Sequence, residues 1–382
     1  MYKILCSAMG YDGGKSGISE YMNGVIPLLA RDNAVDLLIL ERDRAIFPAA
    51  PGGNLRFLGY PDWLGNPTLN MLWHLFVLPW TIDFTRYDFV FLPAANRRLL
   101  CRCPIPLLAT VHDLSQFHVP GKYDALRMFY IRKIVPAFLE KADTVFAVSG
   151  STKRDLERFY GLAPEKIVVN HNGFDSAAFE PGDAGAEQAR QELGLESGYL
   201  LYVARIEHPG KNHLNLIKAY ERLPEGLKKR HQLVLAGAPW SGAEVVEAYA
   251  AASPDKERIK FTGFVGRKLL PGLYRGAALY VFASHFEGFG IPMLEAMGCG
   301  VPVVCSDSSS LPEIGGDAVL TFPPDDVAAM AGLITLALSD PERRQAMTAA
   351  GLARAREFNW EKHQRTIIQT YERQVGGDKQ PA

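Results

Sequence analysis

Two carboxylates eight residues apart, Glu287 and Glu295, bracket a glycine-rich stretch, Glu287-Gly-Phe-Gly-Ile-Pro-Met-Leu-Glu295. Gly288 and Gly290 let the backbone approach a ligand closely, and Pro292 suits the first turn of a helix. A helix starting there points unpaired N–H groups and its positive dipole end at the loop, an arrangement that attracts phosphate. Glu295, one turn further on, can accept hydrogen bonds from ligand hydroxyls. Taken singly, Glu287 would be a helix cap and Glu295 a solvated face residue. A second charged stretch, Arg205-Ile-Glu-His-Pro-Gly-Lys211, follows the apolar run Tyr199–Val203. The planar fork of Arg205 and the mobile point charge of Lys211 suit a diphosphate, and together they can offset charge that develops on a leaving group. His112 follows the run Leu107–Val111, where an imidazole can orient a hydroxyl or take a proton.

These groups must sit at strand ends, and the chain supplies the strands. Apolar runs at Lys3–Ser7, 35–40, Phe89–Leu92, Leu107–Val111 and 144–148 alternate with helical patterns such as 19–30 and 152–160, which implies a mostly parallel sheet. After a composition shift at 179–198, where Glu-Pro-Gly-Asp-Ala-Gly precedes a short charged helical pattern, the alternation restarts with Tyr199–Val203, 232–236, 259–261, 279–282 and 301–305. That is a second doubly wound domain, with ligands expected at the carboxyl ends of its strands. Ser149-Gly-Ser-Thr reads as a helix cap and Asn172-Gly-Phe-Asp as a turn at the domain junction.

The 287–297 stretch closely resembles the E-G-F-G-x-P-x-x-E-A-M signature of glycosyltransferase family 4. The match continues from Gly298 through Glu313, with further pieces near both ends of the chain. The resemblance implies the α/β GT-B fold: two doubly wound Rossmann-like domains facing each other across a cleft, with the last helix, 361–375, crossing back to the first. The corresponding division is 1–180, a linker at 181–198 that serves as hinge, 199–360, then the crossover helix and a frayed tail to 382. It further implies a retaining hexosyltransferase. Arg205 and Lys211 would bind the donor diphosphate, with backbone at Gly17, Phe289, Gly290 and Ile291. Glu295 would hold the ribose, and Gly263, Phe264 and Val265 would line the base pocket. His112, in the H-D-L form common among mannosyltransferase-like members, and Glu287 would address the transferred sugar. Retention would proceed by same-face attack or through a covalent intermediate on a carboxylate such as Glu287.

The donor expected from this resemblance is GDP-mannose, and the acceptor a glycan or lipid-linked glycan of polysaccharide or lipopolysaccharide synthesis. A UDP-hexose donor and a nucleotide-sugar-binding subunit without turnover are the alternatives. No Asp-x-Asp occurs in the 382 residues, so the two cations and the helix end are expected to replace a metal; no cofactor is expected. The loop Gly10-Tyr-Asp-Gly-Gly-Lys-Ser-Gly17 is not an ATP-binding P-loop, because Met9 occupies the place of the required first glycine. A formal net charge of -1 gives no general pull toward nucleic acid. Five cysteines at poor spacing suggest neither a disulfide framework nor a zinc site, and a cytoplasmic location is the default.

One segment complicates that location. Residues 66–84 carry no charge except Asp83, include Trp73 and Trp80, and are followed by Arg86, Arg97, Arg98 and Arg102. Pro67 and Pro79 leave roughly a dozen uninterrupted residues, short of the ~20 a spanning helix needs. A buried core helix is the commoner reading, and a surface resting on the inner membrane the other. The stretch 123–135, with Arg127, Arg132 and Lys133 among aromatics, is a second such candidate.

Overall fold

The computed structural model describes residues 1–14, 16–48, 52–119 and 124–377. Lys15 of the glycine loop, Tyr123 and the tail beyond 377 lie outside the described residues.

Two all-parallel sheets are built from short runs of Val, Ile, Leu and aromatic residues. In the first, β1 (Lys3–Ser7), β2 (Ala34–Leu40), β3 (Leu55–Tyr60), β4 (Phe89–Leu92), β5 (Leu107–Val111), β6 (Thr144–Ala147) and β7 (Ile167–Val169) lie in the order β3-β2-β1-β4-β5-β6-β7. Ile4 of β1 pairs with Val35 on one side and Phe89 on the other. In the second, β8 (Tyr199–Val203), β9 (Leu233–Ala236), β10 (Ile259–Gly263), β11 (Ala277–Phe282), β12 (Val303–Ser306) and β13 (Leu320–Phe322) lie in the order β10-β9-β8-β11-β12-β13. Central strands are buried along their whole length, as a parallel sheet covered on both faces requires. The hydrophobic pattern does not mark β3, β7 or β13. All three are sheet edges with one neighbour each and partly exposed residues; β3 and β13 mix polar with apolar residues, and β7, Ile-Val-Val, is only three residues long.

The chain divides into two compact units: Met1–Gln116 with Gly121–Gly173 and Asn359–Ala382, and Phe174–Phe358 with Phe117–Pro120. The 181–198 stretch expected as a linker falls in the second. Its helix Ala186–Leu193 packs on the helix Leu270–Arg275. Gly272 meets Gly185 so closely there that a Cβ at 272 would lie 2.2 Å from the Gly185 carbonyl oxygen. Arg275 donates to the carbonyls of Ala178, Glu180 and Ala184 and pins the same connection.

The helix Trp360–Gly377 completes the first unit. Ile367 and Tyr371 join the core formed by Ile4, Val25, Leu29 and Phe89. His363 Nδ1 donates to the His171 carbonyl (2.9 Å), so its Nε2 accepts from the Tyr21 hydroxyl (2.7 Å), which also meets Thr110 (2.9 Å). A similar logic fixes His74: Nδ1 donates to the Leu99 carbonyl (2.8 Å) and Nε2 accepts from Ser7 Oγ (2.8 Å).

Burial pushes the imidazoles of His74 and His213 down to about 3 and those of His112 and His363 to about 4. The folded chain therefore holds these rings neutral while the unfolded chain takes up protons below about 6.5. Their contribution is whole above that pH and is lost as pH falls toward about 4, at up to about 1.4 kcal/mol per group per pH unit. Thermal transitions are expected to drop between pH 7 and pH 5; equal midpoints at both would contradict neutral burial.

The 66–84 segment is not a buried core helix. It folds as two short helices, Pro67–Phe76, whose start is capped by the Asn66 side chain, and Leu78–Thr81. Leu69, Leu72, Phe76, Val77 and Trp80 are exposed. Arg97 and Arg98 do not flank this surface: Arg97 turns back to the Gly10 carbonyl (3.2 Å) and Asp12 (3.6 Å), and Arg98 donates to the Arg97 carbonyl.

Candidate functional site

In the second unit, the residues singled out by type and spacing fall at strand ends. Arg205 and Lys211 lie in the loop after β8, Gly263 closes β10 and Glu287 follows β11; two further residues, Ser309 and Ser310, follow β12. Two close backbone approaches hold the floor together. Gly237 after β9 donates to the Gly263 carbonyl (2.9 Å), and a Cβ at 237 would sit 2.0 Å from the Ala204 carbonyl oxygen. Only glycine admits that contact.

Lys211 and Glu287 form the centre. The ammonium lies 2.8 Å from Glu287 Oε1, with both side chains largely covered. Ser284 Oγ donates to the same carboxylate oxygen (2.6 Å), and the Tyr202 hydroxyl bridges Ser284 Oγ (2.7 Å) and the Lys211 carbonyl (2.9 Å). The lysine loop is held by Asn212, which adopts a left-handed backbone (φ 59°) and donates to the Ala283 and Pro324 carbonyls. His213 packs its ring against Tyr202 at 4.8 Å and stays neutral in apolar surroundings.

The Glu287–Phe289 turn is clamped by two serines. Ser309, itself at φ 54°, accepts from the Glu287 N–H (2.8 Å). Ser310 Oγ contacts the carbonyls of Glu287 and Phe289, both at 2.9 Å. The turn leads through Gly290 (φ 105°) into the helix Ile291–Gly298, whose start carries no side-chain cap. A helix start without a capping side chain offers its N–H donors and dipole to an anion. Phe289 is buried against Phe358, so its backbone is the part that can face a ligand.

Glu295 is not on a solvated face. It is 8% exposed and accepts from the Tyr274 hydroxyl (2.8 Å), which orients the carboxylate. Burial and the neighbouring Glu295 raise Tyr274 well above the usual phenol range, so it remains the donor. Arg205 lies 3.4 Å from Glu207 and 4.8 Å over the Trp240 ring. Phe264 is exposed beside Gly263 (φ 67°), while Val265 turns inward. An exposed aromatic face of this kind can stack on a planar base.

In the first unit, His112 directly follows β5. Its Nε2 donates to the Pro93 carbonyl (2.7 Å) and its ring stands edge-on to Tyr21 (4.7 Å). With the proton on Nε2 and the ring neutral, Nδ1 is an acceptor for a hydroxyl. Gly17 opens the helix Gly17–Asp32, behind the Ser16 cap and after Gly13 and Gly14 at positive φ. A Cβ at 17 would meet no described atom within 4 Å, so packing does not require glycine there.

Ser284, Tyr202, Tyr274 and the Ser309-Ser310 pair were not singled out from sequence. Tyr202 and Tyr274 look like core aromatics, and only the fold brings their hydroxyls to the charged groups. Among the described residues, no three His, Cys, Asp or Glu side chains are grouped to hold a metal ion.

Residues 16–178 match the family model described as Glycosyltransferase Family 4, and residues 185–354 the model described as Glycosyl transferases group 1. The chain is 35% identical over 265 residues to O-antigen chain mannosyltransferase B of Escherichia coli, covering 69% of each protein. It is 31% identical to the serotype-specific mannosyltransferase WbdA of Escherichia coli, over 67% of this chain but 32% of that protein. The solved structure of sucrose-phosphate synthase from Thermosynechococcus elongatus superposes with a TM-score of 0.77 at 22% identity, covering 99% of this chain and 100% of that one.

Proposed function

Because the chain belongs to glycosyltransferase family 4 and so to the sugar-transferring enzymes of GT-B fold, we propose that it moves mannose from GDP-mannose to a glycan or lipid-linked glycan acceptor, with retention and without a metal. The observation that carries this reading is the Lys211–Glu287 pair beside the uncapped start of the Ile291–Gly298 helix, with buried Glu295 one turn along it. Lys211, Arg205 and the helix start would hold the diphosphate and offset the charge that grows on it as the glycosidic bond breaks. Glu295, oriented by Tyr274, would accept from the ribose hydroxyls. Glu287 would accept from hydroxyls of the mannose, and His112 would orient the same sugar through Nδ1. Gly17 would admit the donor close to backbone. Mannose is favoured by the relatives named above.

Retention by same-face attack fits this geometry better than a covalent intermediate. A carboxylate already bound by an ammonium and a serine hydroxyl is a weakened nucleophile. The attacking hydroxyl of the acceptor would instead pass its proton to the departing diphosphate on the same face of the sugar.

The test is a thermal shift of the purified chain against GDP-mannose, UDP-glucose and UDP-galactose, followed by transfer assays with the binding donor. A ligand at a hundred times its dissociation constant stabilises by about 2.7 kcal/mol. GDP-mannose is expected to give the largest shift, and Glu295→Ala to weaken nucleotide binding by about tenfold to a hundredfold, the scale of a charge-assisted hydrogen bond. A larger shift with a UDP-hexose would replace the donor, and no shift with any of them would remove the reading.

A further inference from the structure

The two helices Pro67–Phe76 and Leu78–Thr81 carry apolar side chains on both sides. Their inner side holds Leu75 and Leu78, fully buried, beside two polar groups. His74 is fully buried between Ser7 and the Leu99 carbonyl, and Asn70 is buried with its amide donating to the Leu64 carbonyl (3.0 Å). Their outer side faces solvent: Leu69, Leu72, Phe76 and Trp80 are 42%, 44%, 49% and 69% exposed. The spacing of three, four and four residues places these side chains along one stripe. No residue from 66 to 82 carries a charge. A soluble surface gains nothing from such a stripe, and exposed contiguous apolar faces mark interaction sites.

The stripe has a basic edge. The Arg102 guanidinium lies 5.2 Å over the Trp80 ring. Phe138 stands edge-on to Phe76 (6.2 Å) and carries the Lys141 ammonium over its own face (4.7 Å). Lys141 also donates to the Cys101 carbonyl, and the Cys101 N–H to that of Leu75, so the cationic edge is fastened to the helix that bears the stripe.

We propose that this face docks in the interfacial layer of a membrane containing anionic lipids. The pair of helices lies in the plane of the surface, with Leu72, Phe76 and Trp80 among the upper acyl chains and Arg102 and Lys141 at the phosphates. Tryptophan and aliphatic side chains sought by the acyl–headgroup boundary, next to cations sought by the anionic headgroups, are the two components of interfacial binding. Crossing the bilayer is not involved: no helix among the described residues is long and apolar enough. A second protein copy would bury the apolar stripe as well but would leave the cations of its edge without a counter-charge, which favours the lipid.

The experiment is flotation of the full chain with vesicles of phosphatidylcholine alone and of phosphatidylcholine with phosphatidylglycerol, at low and high salt. The chain is expected to float with the anionic vesicles, less with the neutral ones, and less at high salt. The triple variant Leu72→Ser, Phe76→Ser, Trp80→Ser is expected to lose at least about tenfold in vesicle partitioning, and Arg102→Glu to lose binding to anionic vesicles selectively. These side chains are exposed, so the thermal midpoint and nucleotide binding of the triple variant should match the parent; failure of docking then stands apart from failure of the donor assignment. Absence of flotation, or flotation unchanged in the triple variant, overturns the proposal. So does a dimer in light scattering that the triple variant dissolves.

Discussion

Replacing Lys211 with alanine is expected to lower kcat/KM for sugar transfer by about a hundredfold to a thousandfold, the scale of removing one preorganised donor from a developing anion. Two effects act in the same direction. The departing diphosphate loses a cation that is already in place, and Glu287, largely covered, is left without the charge that lies 2.8 Å from it. An unpaired carboxylate at that point repels the incoming phosphates as well. Lys211→Arg should recover part of the loss, because the charge returns but the geometry of a forked group differs. The check is steady-state transfer by parent and variants, with thermal midpoints confirming folding. Transfer by Lys211→Ala at the parental rate would dismiss the ion pair from the reaction and weaken the diphosphate assignment with it.

His112→Ala is expected to leave nucleotide affinity unchanged and to reduce transfer by at least about a hundredfold, the contribution typical of a positioned hydrogen-bonding or proton-transferring side chain. The split follows from placement. His112 follows β5 in the first unit, while the side chains assigned to the nucleotide all belong to the second. Burial holds the imidazole near 4, so the ring is neutral throughout an ordinary assay range. Transfer by the parent should therefore show no inflection near pH 6.5 that the His112→Ala variant lacks. Such an inflection would mean that the ring becomes cationic during turnover. Loss of nucleotide binding in the variant would turn His112 into part of the fold instead.

The charged and glycine-rich elements were legible before any coordinates because their requirements are local. Gly290 has to adopt a positive φ at a helix entrance, and Lys211 and Glu287 each follow an apolar run, the two runs becoming neighbouring strands β8 and β11. What the chain does not display locally is orientation. Glu295 looks the same in sequence whether it faces water or Tyr274, and the hydroxyls of Tyr202 and Ser284 are separated by 82 positions before the sheet joins them. The edge strands β3 and β13 escape the hydrophobic pattern because their open sides carry polar residues, and β7 because it is only three residues long. The 66–84 segment shows the limit most clearly. Its composition suggests burial, yet the buried side is shared by His74, Asn70, Leu75 and Leu78 while an apolar stripe lies outside.

The membership of the helix Trp360–Gly377 in the first unit has a consequence for biosynthesis. Residues 1–173 leave the ribosome without the segment that covers Tyr21, Val25 and Phe89. At roughly 5 to 20 residues per second, some 10 to 40 s pass before that cover is made. During this interval Phe174–Phe358 is translated whole and is free to fold, while the earlier part waits with an apolar flank uncovered. The nascent chain is thus most dependent on chaperones, and most prone to clump with its neighbours on a polysome, while residues 174–358 are being made.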